Sequence, residues 1–134
     1  MRFAHISDTH IRNYEYKEVF SQLYDTLRKG NVDYIVHTGD IAHTKTQISP
    51  EFVELASDFL SNLADIAPTY VILGNHDGNL KNSARQDALT PIVQNLNHQN
   101  LHLFKGYERI ELPNNVALHA LCVFDDQKNW ILTP

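Results

Sequence analysis

The stretch VILGNHDG, Val71 to Gly78, carries an apolar β-forming run straight into an amide, an imidazole and a carboxylate. Val, Ile and Leu suit a buried strand. Gly, Asn and Asp suit the backbone angles of the turn that ends it. A turn has no use for His76. The strand end therefore reads either as a turn with one odd residue or as a place holding something that wants oxygen and nitrogen donors.

The flanking sequence repeats the pattern. RFAHIS, Arg2 to Ser7, is a predicted strand that runs into Asp8 and His10. Tyr16, Phe20, Leu23 and Leu27 then step by four, three and four, one face of a helix. Arg28, Lys29 and Gly30 supply its stop. DYIVHT, Asp33 to Thr38, is a second strand ended by Gly39 and Asp40. Ser49 and Pro50 open a second helix as N-cap and first helical residue, and Phe52, Leu55, Phe59 and Leu63 mark its buried face. Thr69 to Leu73 is the third strand. The order βαβαβ predicts an α/β fold with a parallel sheet and crossover helices. A helix around Ser83 to Leu96 follows, interrupted by Pro91. LHLFK, ERIEL and VALHALCVF then read as short strands, with a hairpin about Pro113 to Asn115.

The chain has 134 residues, 43% of them hydrophobic, which suits one globular domain with a sizeable core. A formal net charge of −5 argues against a broad basic nucleic-acid surface while leaving room for a local one. The single Cys122 cannot form an internal disulfide, which fits a reducing compartment. The polar start MRFAHISDTH is no signal peptide. No apolar run approaches the roughly 18 residues of a membrane span.

Three polar clusters fall at three strand ends. Asp8 to Asp40 is 32 residues and Asp40 to Asn75 is 35, each about one βαβ unit. They share the C-terminal sheet edge, where open α/β sheets bind ligands. Asp8 and His10, two apart, would project to the same side of an extended backbone. Asp40 has two oxygens and can bridge two ions, and Asn75 offers a neutral oxygen. This mix suits manganese, iron or zinc and excludes a thiolate site. Two such ions about 3.5–4 Å apart would clamp the attacking and leaving oxygens of a phosphoryl transfer. Gly39 and Gly74 would let the backbone turn tightly beside them.

Taken in order, DTH, GDIAH and GNHD resemble the motifs of the calcineurin-like metallophosphoesterases: D-x-H, G-D-x-x-(D/H) and G-N-H-(D/E). The resemblance covers residues 3 to about 78. HTKTQISPEFV is similar to the segment after the second motif in SbcD-type repair nucleases, which pair with an SMC-like ATPase. The resemblance implies the first half of a metallophosphoesterase β-sandwich flanked by helices, with residues 1–134 as the N-terminal portion of that domain. It implies two divalent metal ions, with manganese favoured over iron or zinc. Asp8 and His10 would hold the first, Asp40 would bridge both, and Asn75 would hold the second. His76 would contact the scissile phosphate and protonate the leaving oxygen, with Asp77 orienting it. The implied activity is a metal-dependent phosphodiesterase, a DNA exonuclease or endonuclease subunit of an SbcCD-type recombination and repair complex. The implied partners are DNA, an SbcC-type ATPase and, in the complete protein, a second copy as homodimer. The implied place is the cytoplasm of a bacterial or phage-infected cell. The alternatives are a small-molecule or phosphoprotein phosphoesterase, or a truncated homologue that only binds a partner. The family pattern continues with a later His and a G-H-x-H motif. This sequence has no Gly-His dipeptide, so the chain reads as truncated before them.

The remaining candidates have plainer readings. His43 either lines a substrate channel or is an exposed loop residue. His5 and His37 read as packed or hydrogen-bonded core residues rather than ligands, His98 and His102 as surface residues, and His119 as structural. Tyr16, Phe20, Phe52 and Phe59 are helix-face core. Arg12, Lys45, Lys81 and Arg85 follow the motif loops and read as solvated charges, with contact to a DNA backbone as the alternative.

Overall fold

Four short apolar segments pair side by side in the computed structural model, which describes residues 1–11, 16–42, 49–74 and 87–121. They are β1 (Phe3–Ile6), β2 (Tyr34–His37), β3 (Thr69–Ile72) and β4 (Leu101–Phe104), in the order β1-β2-β3-β4. Every pair is parallel, with Ile6 opposite His37, His37 opposite Val71 and Val71 opposite Leu103. The α/β class expected from the sequence is the one observed. LHLFK, read with the later strands, instead joins the parallel sheet, because a third helix carries the chain back before it.

The helices are α1 (Tyr16–Lys29), α2 (Pro50–Ile66) and α3 (Thr90–Leu96). Arg28 and Lys29 sit in the last turn of α1, where the helix dipole favours positive charge. Ser49 is extended and its hydroxyl accepts the Phe52 N–H at 3.0 Å, the cap read from the sequence. The third helix differs from expectation. Pro91 lies in its first turn, where a missing N–H costs nothing, so it starts the helix rather than interrupting one. Asp87 serves this start. Its Oδ1 accepts the N–H groups of Leu89 and Thr90 at 2.8 and 2.7 Å, and its Oδ2 accepts the Thr90 hydroxyl and faces Lys105 Nζ at 3.2 Å. Residues 83–86 of the expected helix lie outside the described residues. Asn97, with φ 46°, closes α3.

Each crossover steps to the next strand, and right-handed crossovers that always step the same way put every helix on one face. That face holds the core. Ile35, Val71 and Leu101 of the sheet pack against Phe20, Leu27, Phe52, Leu55, Leu60 and Leu63. Phe59 lies at its centre, fully buried, with ring centroids 4.4 Å from Phe20 and 6.0 Å from His37. The opposite face is an aromatic ladder. Phe3 stacks on Tyr34 at 5.5 Å, and Tyr70 stacks on His102 and Phe104 at 5.1 and 5.9 Å. The hairpin of β5 (Glu108–Leu112) and β6 (Val116–Ala120) turns through Pro113–Asn115, as the sequence predicts. Leu118 and Ala120 of β6 lie over the ladder and close, with Val36, Tyr70, Ile72 and Phe104, an apolar cleft of about 160 Å³. The hairpin is thus a second layer beginning on the face that the helices leave open. Among the described residues no helix is long and apolar enough to cross a membrane.

Because Phe59 joins α1, α2 and the sheet, Phe59→Ala should lower unfolding free energy by about 3–5 kcal/mol, the range for emptying a buried aromatic site. Urea denaturation monitored by circular dichroism would measure the loss.

Candidate metal centre

Beyond the sheet, the chain ends of β1 and β2 keep running in parallel. The ladder continues from Thr38 N–H to Ile6 O at 3.0 Å into Asp8 N–H to Gly39 O at 3.0 Å and His10 N–H to Asp40 O at 2.9 Å. Ile11 N–H then reaches Ile41 O at 2.6 Å, and Ile11 pairs with Ala42. Asp8 and His10 do not sit in the extended backbone that their spacing suggested. Their φ values are 55° and 46°, with Asp40 at 58° and Gly39 at 110°. The two loops bend together, and left-handed turns, rather than strand alternation, bring Asp8 and His10 to one side. Such backbone costs on the order of 1–3 kcal/mol per residue and persists only where its surroundings hold it.

The glycines mark a close approach as well as a turn. A Cβ on Gly39 would lie 2.5 Å from the Gly74 nitrogen. A Cβ on Gly74 would strike the Asp40 carboxylate and amide nitrogen. The end of β3 therefore touches Asp40 through bare backbone.

Asp8, His10 and Asp40 each offer one ligand atom, and these atoms lie within 4.8 Å of one another. His10 Nε2 is 3.5 Å from Asp8 Oδ1. The Ser7 hydroxyl donates to Asp8 Oδ2 at 2.5 Å. That bond holds the Asp8 carboxyl below its ordinary range against partial desolvation, with Asp40 and His10 adding to it. Two carboxylates and an imidazole converging at a half-open edge are a donor set that fits a divalent cation of the first transition row. Asn75, His76 and Asp77 lie outside the described residues, as do His43, Arg12, Lys45, Lys81 and Arg85.

Among the histidines read as structural, His37 is wholly buried at the end of β2. Its Nδ1 accepts the Gly39 N–H at 3.1 Å, and its Nε2 faces Thr9 Oγ1 at 3.2 Å. His5 is exposed rather than packed and bonds Thr38 Oγ1 at 2.8 Å, because β1 is an edge strand. His98 is no loose surface residue: it bridges Asp65 Oδ1 at 2.8 Å to the Asn100 N–H. His119 meets the Tyr107 hydroxyl at 2.9 Å. Thr9 and Asp87 were not singled out from the sequence. The only signal for Thr9 is its place between Asp8 and His10.

Burial pulls the His37 imidazole down from 6.5 to about 4, against the attraction of Asp8. An unfolded chain therefore gains a proton at His37 below about pH 6.5, while the folded chain stays neutral there to about pH 4. Stability should fall as pH drops through that window, by at most about 3 kcal/mol, and not further on this account below it. Denaturation midpoints at pH 7 and 4.5, with His37→Phe to remove this slope, would check it.

Comparison with known proteins agrees with this geometry. The model of the calcineurin-like phosphoesterases matches residues 1–131. An uncharacterised protein of Acanthamoeba polyphaga mimivirus is 49% identical over 98 residues, 68% of this chain and 7% of that protein. The DNA double-strand break repair protein Mre11 of Saccharolobus solfataricus is 29% identical over 132 residues, 85% of this chain and 33% of that protein. Mre11 of Thermoplasma acidophilum is 29% identical over 82 residues, 54% of this chain and 22% of that protein. The chain thus spans 33% or less of each of these three relatives. With the matched region running from β1 past the hairpin, the chain belongs to the calcineurin-like phosphoesterase family.

Proposed function

We propose that this chain carries the metal-binding edge of a phosphodiesterase that cuts DNA in double-strand break repair. The observation that carries the reading is the convergence of Asp8, His10 and Asp40 at the ends of adjacent parallel strands. Gly74 against Asp40 supports Asn75, the next residue, as a further ligand. In this reading Asp8 and His10 would hold one divalent ion, Asp40 would bridge to a second, and Asn75 would hold the second. Manganese is the favoured metal. When bound, the ions polarise a phosphoryl oxygen and offset the charge that grows on it in the transition state.

The protein's own part is to orient and to move protons. Asp8 is ionised at neutral pH, and the Ser7 hydroxyl favours that form further. His76 donates a proton to the leaving oxygen, and Asp77 fixes its tautomer. DNA as substrate is supported by the two relatives named for repair of DNA breaks. An SMC-like ATPase partner and a homodimer are supported by the resemblance of the residue 43–53 segment to SbcD-type nucleases. The net charge of −5 favours a second reading, a small phosphate ester as substrate. Manganese-dependent turnover by the full-length protein on linear DNA against p-nitrophenyl phosphate esters separates the two. Ester cleavage without DNA cleavage would overturn the nuclease reading.

Two variants test the roles. Asp40→Ala should lose more bound metal than His10→Ala, because a bridging carboxylate serves both ions. Metal content by mass spectrometry would measure it, and two ions retained by the Asp40 variant would remove the bridging role. His76→Ala should keep its metal and slow turnover by roughly 10²–10⁴, the usual share of general acid–base catalysis. Metal loss in that variant would make His76 a ligand instead.

A further inference from the structure

We infer that His37 is a positioning residue for the metal site, holding the Asp8–His10 loop and the Gly39–Asp40 loop in register from beneath. The inference rests on the metal reading above and names the part of the fold that sets the ligand spacing.

The geometry assigns the tautomer. Nδ1 accepts the Gly39 N–H at 3.1 Å, so it carries no proton. The ring proton of the neutral imidazole is then on Nε2, which donates to Thr9 Oγ1 at 3.2 Å. Thr9 lies between Asp8 and His10, and Gly39 directly precedes Asp40. One side chain therefore bonds the middle of the first ligand loop and the start of the second. The ring is fully buried and set edge-on against Phe59, at 86° between planes, so it has little freedom to follow either loop. A phenyl ring would fill the space and leave the Gly39 N–H and the Thr9 hydroxyl without this partner. An asparagine would place an acceptor where Nδ1 is and give up the arm to Thr9. The partners of metal ligands commonly govern affinity by 10–100-fold when removed.

The test compares His37→Phe, His37→Asn and Thr9→Val with the parent chain at a temperature where circular dichroism shows each folded. Manganese affinity by calorimetry should fall about 10–100-fold in His37→Phe. It should fall less in His37→Asn and in Thr9→Val, each of which keeps one of the two bonds. A residue that only filled space would reverse the order of the two His37 variants, with the phenyl ring a milder change than the asparagine. Nitrogen-15 correlation spectra of the imidazole should show the Nε2–H tautomer. Amide exchange at Gly39, His10 and Ile11 should accelerate in His37→Phe. Unchanged manganese affinity in His37→Phe, or an Nδ1–H tautomer in the parent, would overturn the inference. Should the parent bind no manganese, the metal reading fails by itself. The exchange rates then decide the positioning claim, and unchanged protection in His37→Phe would end it. Should His37→Phe not fold, His37→Asn and Thr9→Val carry the comparison, and parental affinity and exchange in both would overturn it.

Discussion

Past the last paired residues of the sheet, Ile6 and His37, the backbones of two loops stay hydrogen-bonded to each other through Asp8, His10 and Ile11. The site depends on this continuation. The pairing register sets Ile6 opposite His37, so both strands end at the same level and bring two polar loops to one edge. Nearness alone would leave two mobile loops. The cross-loop bonds make Asp8 and Asp40 parts of one short ladder, so their carboxylates move together. The same continuation buries Ile11, Ile41 and Ala42 beneath the edge. Each fully buried Ile contributes about 1.5–3 kcal/mol, of the same order as the cost of one such turn.

The end of the third strand comes close as well, through the contact of Gly74 with Gly39 and with the Asp40 carboxylate. A residue with a Cβ at either glycine would push the end of β3 outward and widen the edge. The Ser7 hydroxyl, the Asp40 carboxyl and the His10 ring together favour the ionised form of Asp8. A divalent cation seated among the three donors would favour it more.

Much of this was legible from one sequence. Strand runs ending in Asp8, Asp40 and Asn75 at intervals of 32 and 35 residues announce a parallel sheet with polar clusters at one edge. Ser49 and Pro50 announce the start of α2, and Pro113 to Asn115 the hairpin. The misses have physical reasons. LHLFK joins the parallel sheet because α3 precedes it, and α3 is only seven residues long with its cap supplied by Asp87. Pro91 was read as a break because a proline within a helical pattern and a proline in a first turn look alike without the cap. The left-handed turns at Asp8 and His10 had only a weak signal, since Asp and His tolerate positive φ better than most residues but adopt it only where the surroundings require it. They follow from the bonds to Gly39 and Asp40 across the sheet, which are tertiary. The role of His37 was hidden for the same reason. Its two partners lie two and 28 residues away.

A site built from loops is only as well placed as what the loops rest on. Here the support runs inward in three steps. Asp40 follows Gly39 and His10 follows Thr9, and both Gly39 and Thr9 are tied to the imidazole of His37. That imidazole stands against Phe59. Phe59 belongs to α2 and packs on Phe20 of α1, so the two helices and the sheet meet at its ring. Close-packed interiors yield little to small forces. The polar edge is thereby referenced to the centre of the apolar core through a single buried polar ring. A leucine at that place would pack as well and transmit nothing, because it could accept no N–H and donate to no hydroxyl. The burial that keeps the ring neutral also preserves its transmission. A protonated His37 would carry a proton on both nitrogens and could no longer accept the Gly39 N–H. The hydrophobic core therefore does two things for this edge: it places the ring, and it holds the ring in the one protonation state that bonds both loops.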